Sequence, residues 1–157
     1  MTSASPAERP TVRVGVLLVA GGRLLLVQQA RGDEKYWLLP GGGLAIGETL
    51  ADCARRELRE ELRLDIEPGP PLALVESVSP DQTAYPKHVL HVVLAASADS
   101  RVLRTGPLQM YDPAVLRAEL VPTPKLARLD LRPPIADFLR ACLEQLPTHL
   151  VYLGQRW

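Results

Sequence analysis

The stretch 41-GGGLAIGETLADCARRELREELRL-64 carries the most informative pattern of the chain. Residues 48–63 contain no glycine or proline and consist mostly of helix-forming residues, so they predict an α-helix. Thr49 suits the N-cap or the first turn of this helix. At 100° per residue the apolar side chains form one continuous stripe, made of Leu50, Ala54, Leu58 and Leu62. The helix is therefore expected to pack one face against a core.

Three glutamates share a neighbouring arc of the same helix. Glu57, Glu60 and Glu61 are spaced i, i+3, i+4, which places them within an arc of roughly 100°. Like charges at this spacing repel by roughly 0.2–0.5 kcal/mol per pair, and a divalent cation would remove the repulsion. Mg²⁺ and Mn²⁺ both prefer carboxylate oxygens. Taken alone, these acids are also compatible with a solvated face that the neighbouring arginines neutralise.

The wider spacing resembles the Nudix box. Gly42, five residues, Glu48, seven residues and then the run 56-RELREE-61 reproduce the order of glycine, glutamate and arginine–glutamate residues in that box. Each charged residue type has a background frequency of about 6%, so five fixed charges in register arise by chance roughly once in 10⁶ start positions. Leu38 and the pair Pro40-Gly41 extend the match. The pattern is far more specific than a lone glycine-rich loop.

Two positions depart from the box. Arg63 stands where the box has a glycine near the end of the helix, and Ala45 stands where many members carry a glutamate. A left-handed helix terminus costs more with arginine than with glycine. We therefore expect the helix to end differently or to run slightly longer.

The resemblance implies a strand–loop–helix unit that holds a metal ion and a pyrophosphate. By similarity, Glu57, Glu60 and Glu61 are the metal ligands for Mg²⁺ or Mn²⁺, and the carbonyl of Gly41 adds another. Arg56 would hold the carboxylates in place and Glu48 would brace Arg56. These residues form the expected catalytic set: Glu48, Arg56, Glu57, Glu60 and Glu61. The implied fold class is α+β, a Nudix-like α/β/α sandwich whose mixed sheet is flanked by helices.

The reaction that the resemblance implies is metal-dependent hydrolysis of a phosphoanhydride. The substrate would be a nucleoside diphosphate linked to another moiety, such as ADP-ribose or a nucleoside triphosphate. One glutamate, in the box or on a later loop, would act as base. Asp99 and Asp112 are candidates for a further downstream acid, and Glu119 is a weaker one. The alternative is a non-catalytic module of the same fold that senses a nucleotide, although such modules typically lose acids of the box.

Residues outside the box would recognise the rest of the substrate. Arg31 can reach a phosphate, and Trp37 can stack on a base. A solvated hairpin arginine and a core tryptophan are the competing interpretations. His88 and His91 lie three apart on a predicted strand, so they point to opposite faces and do not form a metal pair.

The flanking sequence predicts mostly strands. Residues 11–20 and 23–29 are β-rich and are separated by Gly21-Gly22, which indicates a hairpin. The first half of the chain is further predicted to contain a polar loop at 31–35, a strand at 36–39, a loop at 41–43, a break at 68–71 and a strand at 72–78. The second half is predicted to contain a strand at 88–96, a connection at 99–106, a weak helix or turn at 112–119 and a short extended piece at 120–122. A last helix is predicted from Asp130, with Pro133 and Pro134 in its first turn.

Composition limits the other possibilities. The 157 residues suit one domain, predicted at 11–157 after a disordered leader at 1–10. Because 18 basic and 18 acidic residues cancel, neither a nucleic acid nor an anionic membrane is an expected partner. Two cysteines do not make a disulfide scaffold, and we expect a cytoplasmic location. The apolar residues 150–153 would dock on the body or on a second subunit, which would make a homodimer.

Overall fold

The computed structural model describes residues 9–80, 87–103 and 108–157. Residues 1–8 of the predicted leader and residues 104–106 of the predicted connection lie outside the described residues. The elements in chain order are β1 (Thr11–Ala20), β2 (Arg23–Arg31), β3 (Glu34–Leu38), β4 (Gly41–Gly43), α1 (Leu50–Leu62), β5 (Ile66–Val78), β6 (His88–Ala98), β7 (Val115–Pro122), α2 (Thr123–Leu126), α3 (Ala136–Glu144) and β8 (Val151–Gln155).

The strands form one mixed, eight-stranded sheet around β1. Its main path runs β3-β2-β1-β6-β5-β8, while β4 pairs with β1 and β7 pairs with β2. The predicted hairpin is confirmed, because β1 and β2 pair antiparallel across Gly21 and Gly22, which both have positive φ. In contrast, β1 runs parallel to β6, and β8 runs parallel to β5. The sheet is therefore mixed, as predicted.

Two core clusters occupy opposite faces of the sheet. Alternate residues of β1 point to opposite faces, so Val16 joins the first cluster and Leu17 the second. Helix α1 packs on the first cluster through its predicted apolar stripe, in which Leu58 is fully buried. Helix α3 packs on the second cluster through Leu139 and Cys142. The α/β/α layering is thus confirmed, and both cysteines are buried and free.

Three predictions of local structure are wrong. Residues 41–43 are not a loop: they form β4, and Gly42 pairs with Val14 of β1. Residues 68–71 do not break the chain, because β5 runs through them with register shifts that accommodate prolines lacking an N–H donor. Residues 115–119 belong to the strand β7 rather than to a helix or turn, because β2 offers them a long antiparallel partner, while residues 120–122 are extended as predicted.

The predicted helix start at Asp130 is also wrong. The last helix begins at Ala136, with Ile135 as its N-cap. The preceding residues stay extended because β3 binds them: the N–H of Trp37 donates to the carbonyl of Asp130, and the N–H of Arg132 donates to the carbonyl of Trp37. These long-range bonds outweigh the local helix-start signal of the two prolines.

Helix α1 ends at Leu62, with Arg63 as its C-cap at the position of the box glycine. The expectation that arginine would make the helix end differently or run longer is therefore wrong. Arg63 adopts a left-handed conformation with φ 53° and ψ 34°, and its N–H donates to the carbonyl of Arg59. The cost of this conformation is roughly 1–2 kcal/mol. Two contacts offset it: the Arg63 guanidinium lies 5.1 Å from the centre of the Tyr111 ring, and the following Leu64 is buried.

The apolar segment near the end of the sequence docks on the body of the protein as β8. It pairs parallel with β5, where Leu74 lies opposite Tyr152. Its alternative role as a contact with a second subunit stays a prediction. None of the helices in the described ranges is long and apolar enough to cross a bilayer.

Candidate active site

Glu61 is the most buried carboxylate among the described residues of the box. Only 2% of the residue is exposed. The pairing of β4 with β1 brings the backbone of Gly41 over the helix, so that the Gly41 N–H donates to Oε2 of Glu61 at 3.1 Å. Burial raises the pKa of Glu61 to about 7, and the nearby charges of Glu57 and Asp112 act in the same direction. The site thus holds a carboxylate that lacks the solvation a negative charge requires.

Glu57 lies one helical turn before Glu61 and rests against Gly42. A Cβ atom built on Gly42 would lie 2.3 Å from Oε1 of Glu57, so the carboxylate occupies the space that any side chain at Gly42 would need. Nη1 of Arg56 donates to the same oxygen at 2.7 Å. The glycine of the box is therefore required for a close approach between β4 and the helix.

Arg56 links the helix to the loop that precedes it. Its Nη2 and Nε donate to the two oxygens of Glu48 at 2.7 and 3.0 Å, and Nη2 also donates to the carbonyl of Gly43 at 3.1 Å. The hydrogen bond from Arg56, together with that from the backbone of Ala45, lowers the pKa of Glu48 to about 2. Arg56 therefore forms a two-pronged contact with Glu48 and ties the helix to the loop.

The donor set fits a divalent cation in part. Glu57 and Glu61 are close enough for the charge of Glu57 to raise the pKa of Glu61, and a cation between them would relieve that repulsion. Glu60 is 59% exposed, and its carboxylate lies 3.4 Å from Nη1 of Arg56. Across residues 9–80, 87–103 and 108–157, no group of three or more acids, histidines or cysteines lies close enough together to hold a metal ion. The pair Glu57 and Glu61 is the part of the set that fits.

The three downstream acids lie in different surroundings. Asp112 influences the pKa of Glu61, and the N–H of the adjacent Tyr111 donates to the carbonyl of Glu61 at 2.9 Å. Asp99 pairs with Arg101 on the surface, and Glu119 pairs with Arg117. Of the three, Asp112 is the acid whose charge acts on Glu61.

Arg13 connects the carboxylates to a cavity of about 720 Å³. Its Nη2 donates to the carbonyls of Leu39 and Gly41 at 3.0 and 3.2 Å. The negative charges of Glu61 and Glu57 favour the charged form of its guanidinium. Sequence reasoning missed Arg13, although a lone arginine inside an apolar strand is a visible signal. Of the two predicted substrate-binding residues, Arg31 lines the cavity, whereas Trp37 is buried in the second core cluster and does not.

The raised pKa of Glu61 predicts a pH-dependent loss of stability in the metal-free protein. The carboxyl group of Glu61 has a pKa of about 7 in the folded protein and an ordinary value of 4.5. Ionising it in the folded protein therefore lowers the free energy of unfolding, an effect that is absent below pH 4.5 and complete above pH 7. It amounts to on the order of 3 kcal/mol. In the presence of a chelator, which keeps the protein metal-free, the unfolding free energy of Glu61→Gln should exceed that of the wild type by a margin that grows from pH 4.5 to pH 8. A constant margin in urea titrations would contradict the raised pKa.

Comparison with known proteins supplies an independent result. A model described as NUDIX domain matches residues 9–142. The phosphatase NudJ of Escherichia coli K12 is 29% identical over 86 residues, which are 55% of this chain and 56% of NudJ, so the match spans about half the length of that relative.

Solved structures share the fold over most of the chain. An ADP-ribose pyrophosphatase from Streptococcus suis has a TM-score of 0.64 at 20% identity and covers 94% of this chain and 99% of its own. A MutT NUDIX hydrolase from Burkholderia pseudomallei has a TM-score of 0.61 at 26% identity and covers 89% of this chain and 100% of its own. The architecture that positions the carboxylates is therefore a shared one.

Proposed function

Because the chain belongs to the NUDIX domain family, we propose that it hydrolyses a pyrophosphate bond in a nucleoside diphosphate linked to another group, with the help of a divalent cation. The observation that carries this proposal is the intact charged set of the box in a folded arrangement. Glu61 is buried under Gly41, Glu57 fills the space beside Gly42, and Arg56 is braced by Glu48. A merely structural helix has no need of two adjacent carboxylates, one of them buried.

Each residue of the set has a distinct task in this proposal. Glu57 and Glu61 would hold Mg²⁺ or Mn²⁺, and the family resemblance adds Glu60 and the carbonyl of Gly41 as further ligands. The bound cation supplies polarisation of the phosphoanhydride and a lowered pKa of water. Arg56 and Glu48 keep the carboxylates oriented, since their fork fixes both the helix and the loop. Asp112 is the proposed downstream acid, because it is the candidate that lies beside the box helix.

The similarity to an ADP-ribose pyrophosphatase supports placing ADP-ribose in the first substrate panel. The panel would also contain ordinary and oxidised nucleoside triphosphates, dinucleoside polyphosphates and nucleotide sugars. Each compound is incubated with Mg²⁺, with Mn²⁺ and with a chelator, and the products are separated by chromatography. We expect one class to be cleaved to two phosphorylated fragments with either cation and to stay intact with the chelator.

Two outcomes would contradict the proposal. Cleavage that persists in the chelator would refute the dependence on a cation. No cleavage of any compound by a protein that melts cooperatively would favour the nucleotide-sensing module, and calorimetric titration with the same panel would then identify the nucleotide that it senses.

A further inference from the structure

The cavity that Arg13 lines has an excess of positive charge. Five cationic residues line it, namely Arg13, Arg31, Lys87, Arg132 and Arg156, against two acidic ones. Burial, and then the charge of Arg13, lowers the pKa of His91 to about 4, so that this lining ring is neutral at pH 7. The side chains of the lining therefore carry three more positive than negative charges.

The two acids of the cavity are already paired, and both pair with the same arginine. Nη2 of Arg132 lies 3.3 Å from Glu34 and 2.9 Å from Asp130. Within the described ranges, no carboxylate forms an ion pair with Arg31 or Arg156. Cations gathered in a concave site repel one another, and a bound anion reverses that repulsion. Phosphate suits such a site, because arginine can bind it with two parallel hydrogen bonds.

Arg13 fixes the position of this charge relative to the carboxylates. It lines the cavity, and its guanidinium also donates to the carbonyl of Gly41, the residue whose N–H binds Glu61. A substrate with its pyrophosphate at Glu57 and Glu61 would therefore extend past Arg13 into the cavity. The cationic residues beyond Arg13 then face the part of the substrate that does not react.

Flat groups on the cavity wall suit a nucleoside. The Arg132 guanidinium lies 4.6 Å from the centre of the Tyr36 ring, and Trp157 lines the cavity with 56% of its surface exposed. Planar side chains of this kind bind bases and sugars through their faces. The cavity thus combines a surface for a nucleoside with an excess of cations.

We propose that this cavity binds a phosphate group additional to the scissile pyrophosphate, so that the preferred substrates are nucleoside diphosphate compounds with a further phosphate. The inference rests on the proposed function, because the carboxylates define which pyrophosphate reacts. The further phosphate has two sources of the same chemistry: the ribose of the nucleoside, or the end of a longer polyphosphate chain.

Matched substrate pairs that differ by one phosphate test this inference. NADPH with NADH and coenzyme A with its dephospho form probe a phosphate on the ribose, and ATP with ADP probes the end of the chain. We expect at least one pair to show a higher kcat/KM for the phosphorylated member. For that pair, the kcat/KM of the phosphorylated member is divided by the kcat/KM of the other member. Arg31→Gln and Arg156→Gln should each lower this quotient by about 10-fold, the size expected for one charged hydrogen bond. Arg101→Gln is the matched control, because Arg101 is 88% exposed and pairs with Asp99 outside the cavity.

The outcomes separate this inference from the proposed function. Ratios near one in all pairs, with hydrolysis intact, would overturn the inference alone. An equal fall for both members of a pair in Arg31→Gln and Arg156→Gln would also overturn it, because the cations would then serve the scissile group. Calorimetric Kd values for the same pairs show the preference without turnover. A protein that hydrolyses none of the compounds but binds the phosphorylated members more tightly would refute the proposed function and support the cavity's role.

Discussion

Glu61→Gln is expected to lower kcat by roughly 10²–10³-fold, the loss seen when one preorganised electrostatic group is removed from an active site. The substitution removes the charge from the most buried carboxylate of the box and keeps its shape. The side-chain oxygen of glutamine still accepts the hydrogen bond that Gly41 donates. The fold is therefore retained, and the repulsion with Glu57 disappears. Steady-state kinetics on the best substrate of the panel, with urea unfolding of the same samples, measures both effects.

Glu67→Gln is the matched control for this substitution. Glu67 undergoes the same chemical change on the surface, where its side chain is 76% exposed and pairs with Arg55. We expect its kcat to equal that of the wild type. An unchanged kcat in Glu61→Gln, at saturating Mg²⁺, would refute the assignment of the box carboxylates to catalysis.

The parts of the fold that the sequence predicts are those with a dense local signal. The stripe from Leu50 to Leu62 and the turn at Gly21-Gly22 depend on residues close in sequence, and both are present in the structure. Residues 115–119 of strand β7 have no comparable signal, because their partner β2 lies about 90 residues earlier in the chain. The extended backbone at residues 130–132 has the same origin in bonds to Trp37. In both segments, pairing with a distant strand makes the backbone extended although the local sequence favours a helix or turn.

The active-site residues also divide into those that local spacing predicts and those that depend on long-range contacts. Spacing along one helix and its loop is enough to bring Glu48, Arg56, Glu57 and Glu61 together, because all of them lie within fourteen residues of sequence. Arg13 and the cavity depend on where β1, β3 and the segment after Asp130 meet, and no spacing rule encodes that meeting. Glu60 shares the arc of the other two acids, yet its carboxylate lies near Arg56 and is largely exposed. Periodicity gives the face of a helix and not the rotamer of each side chain.

Gly42→Ala should reduce kcat/KM by roughly 10–100-fold, the loss typical of displacing a residue that orients a metal ligand. The new methyl group would lie 2.3 Å from the carboxylate of Glu57, so this carboxylate must move. Because the obstructing atoms are the end of a flexible side chain and Gly42 does not have a positive φ, the unfolding free energy should change by less than about 1 kcal/mol. Kinetics and urea unfolding of the same preparation test the two expectations together.

Gly43→Ala isolates the cause of that loss. Gly43 is the next residue of β4, and a Cβ atom built on it meets nothing within 4 Å. The substitution keeps the Gly43 carbonyl that accepts from Arg56, so the brace between the helix and the loop is unaffected. Gly43→Ala should therefore retain the activity of the wild type. If both alanine variants lose activity equally, the cause is the stiffness of β4 and not the position of Glu57. If neither loses activity, the exact placement of Glu57 against the strand is not required for turnover.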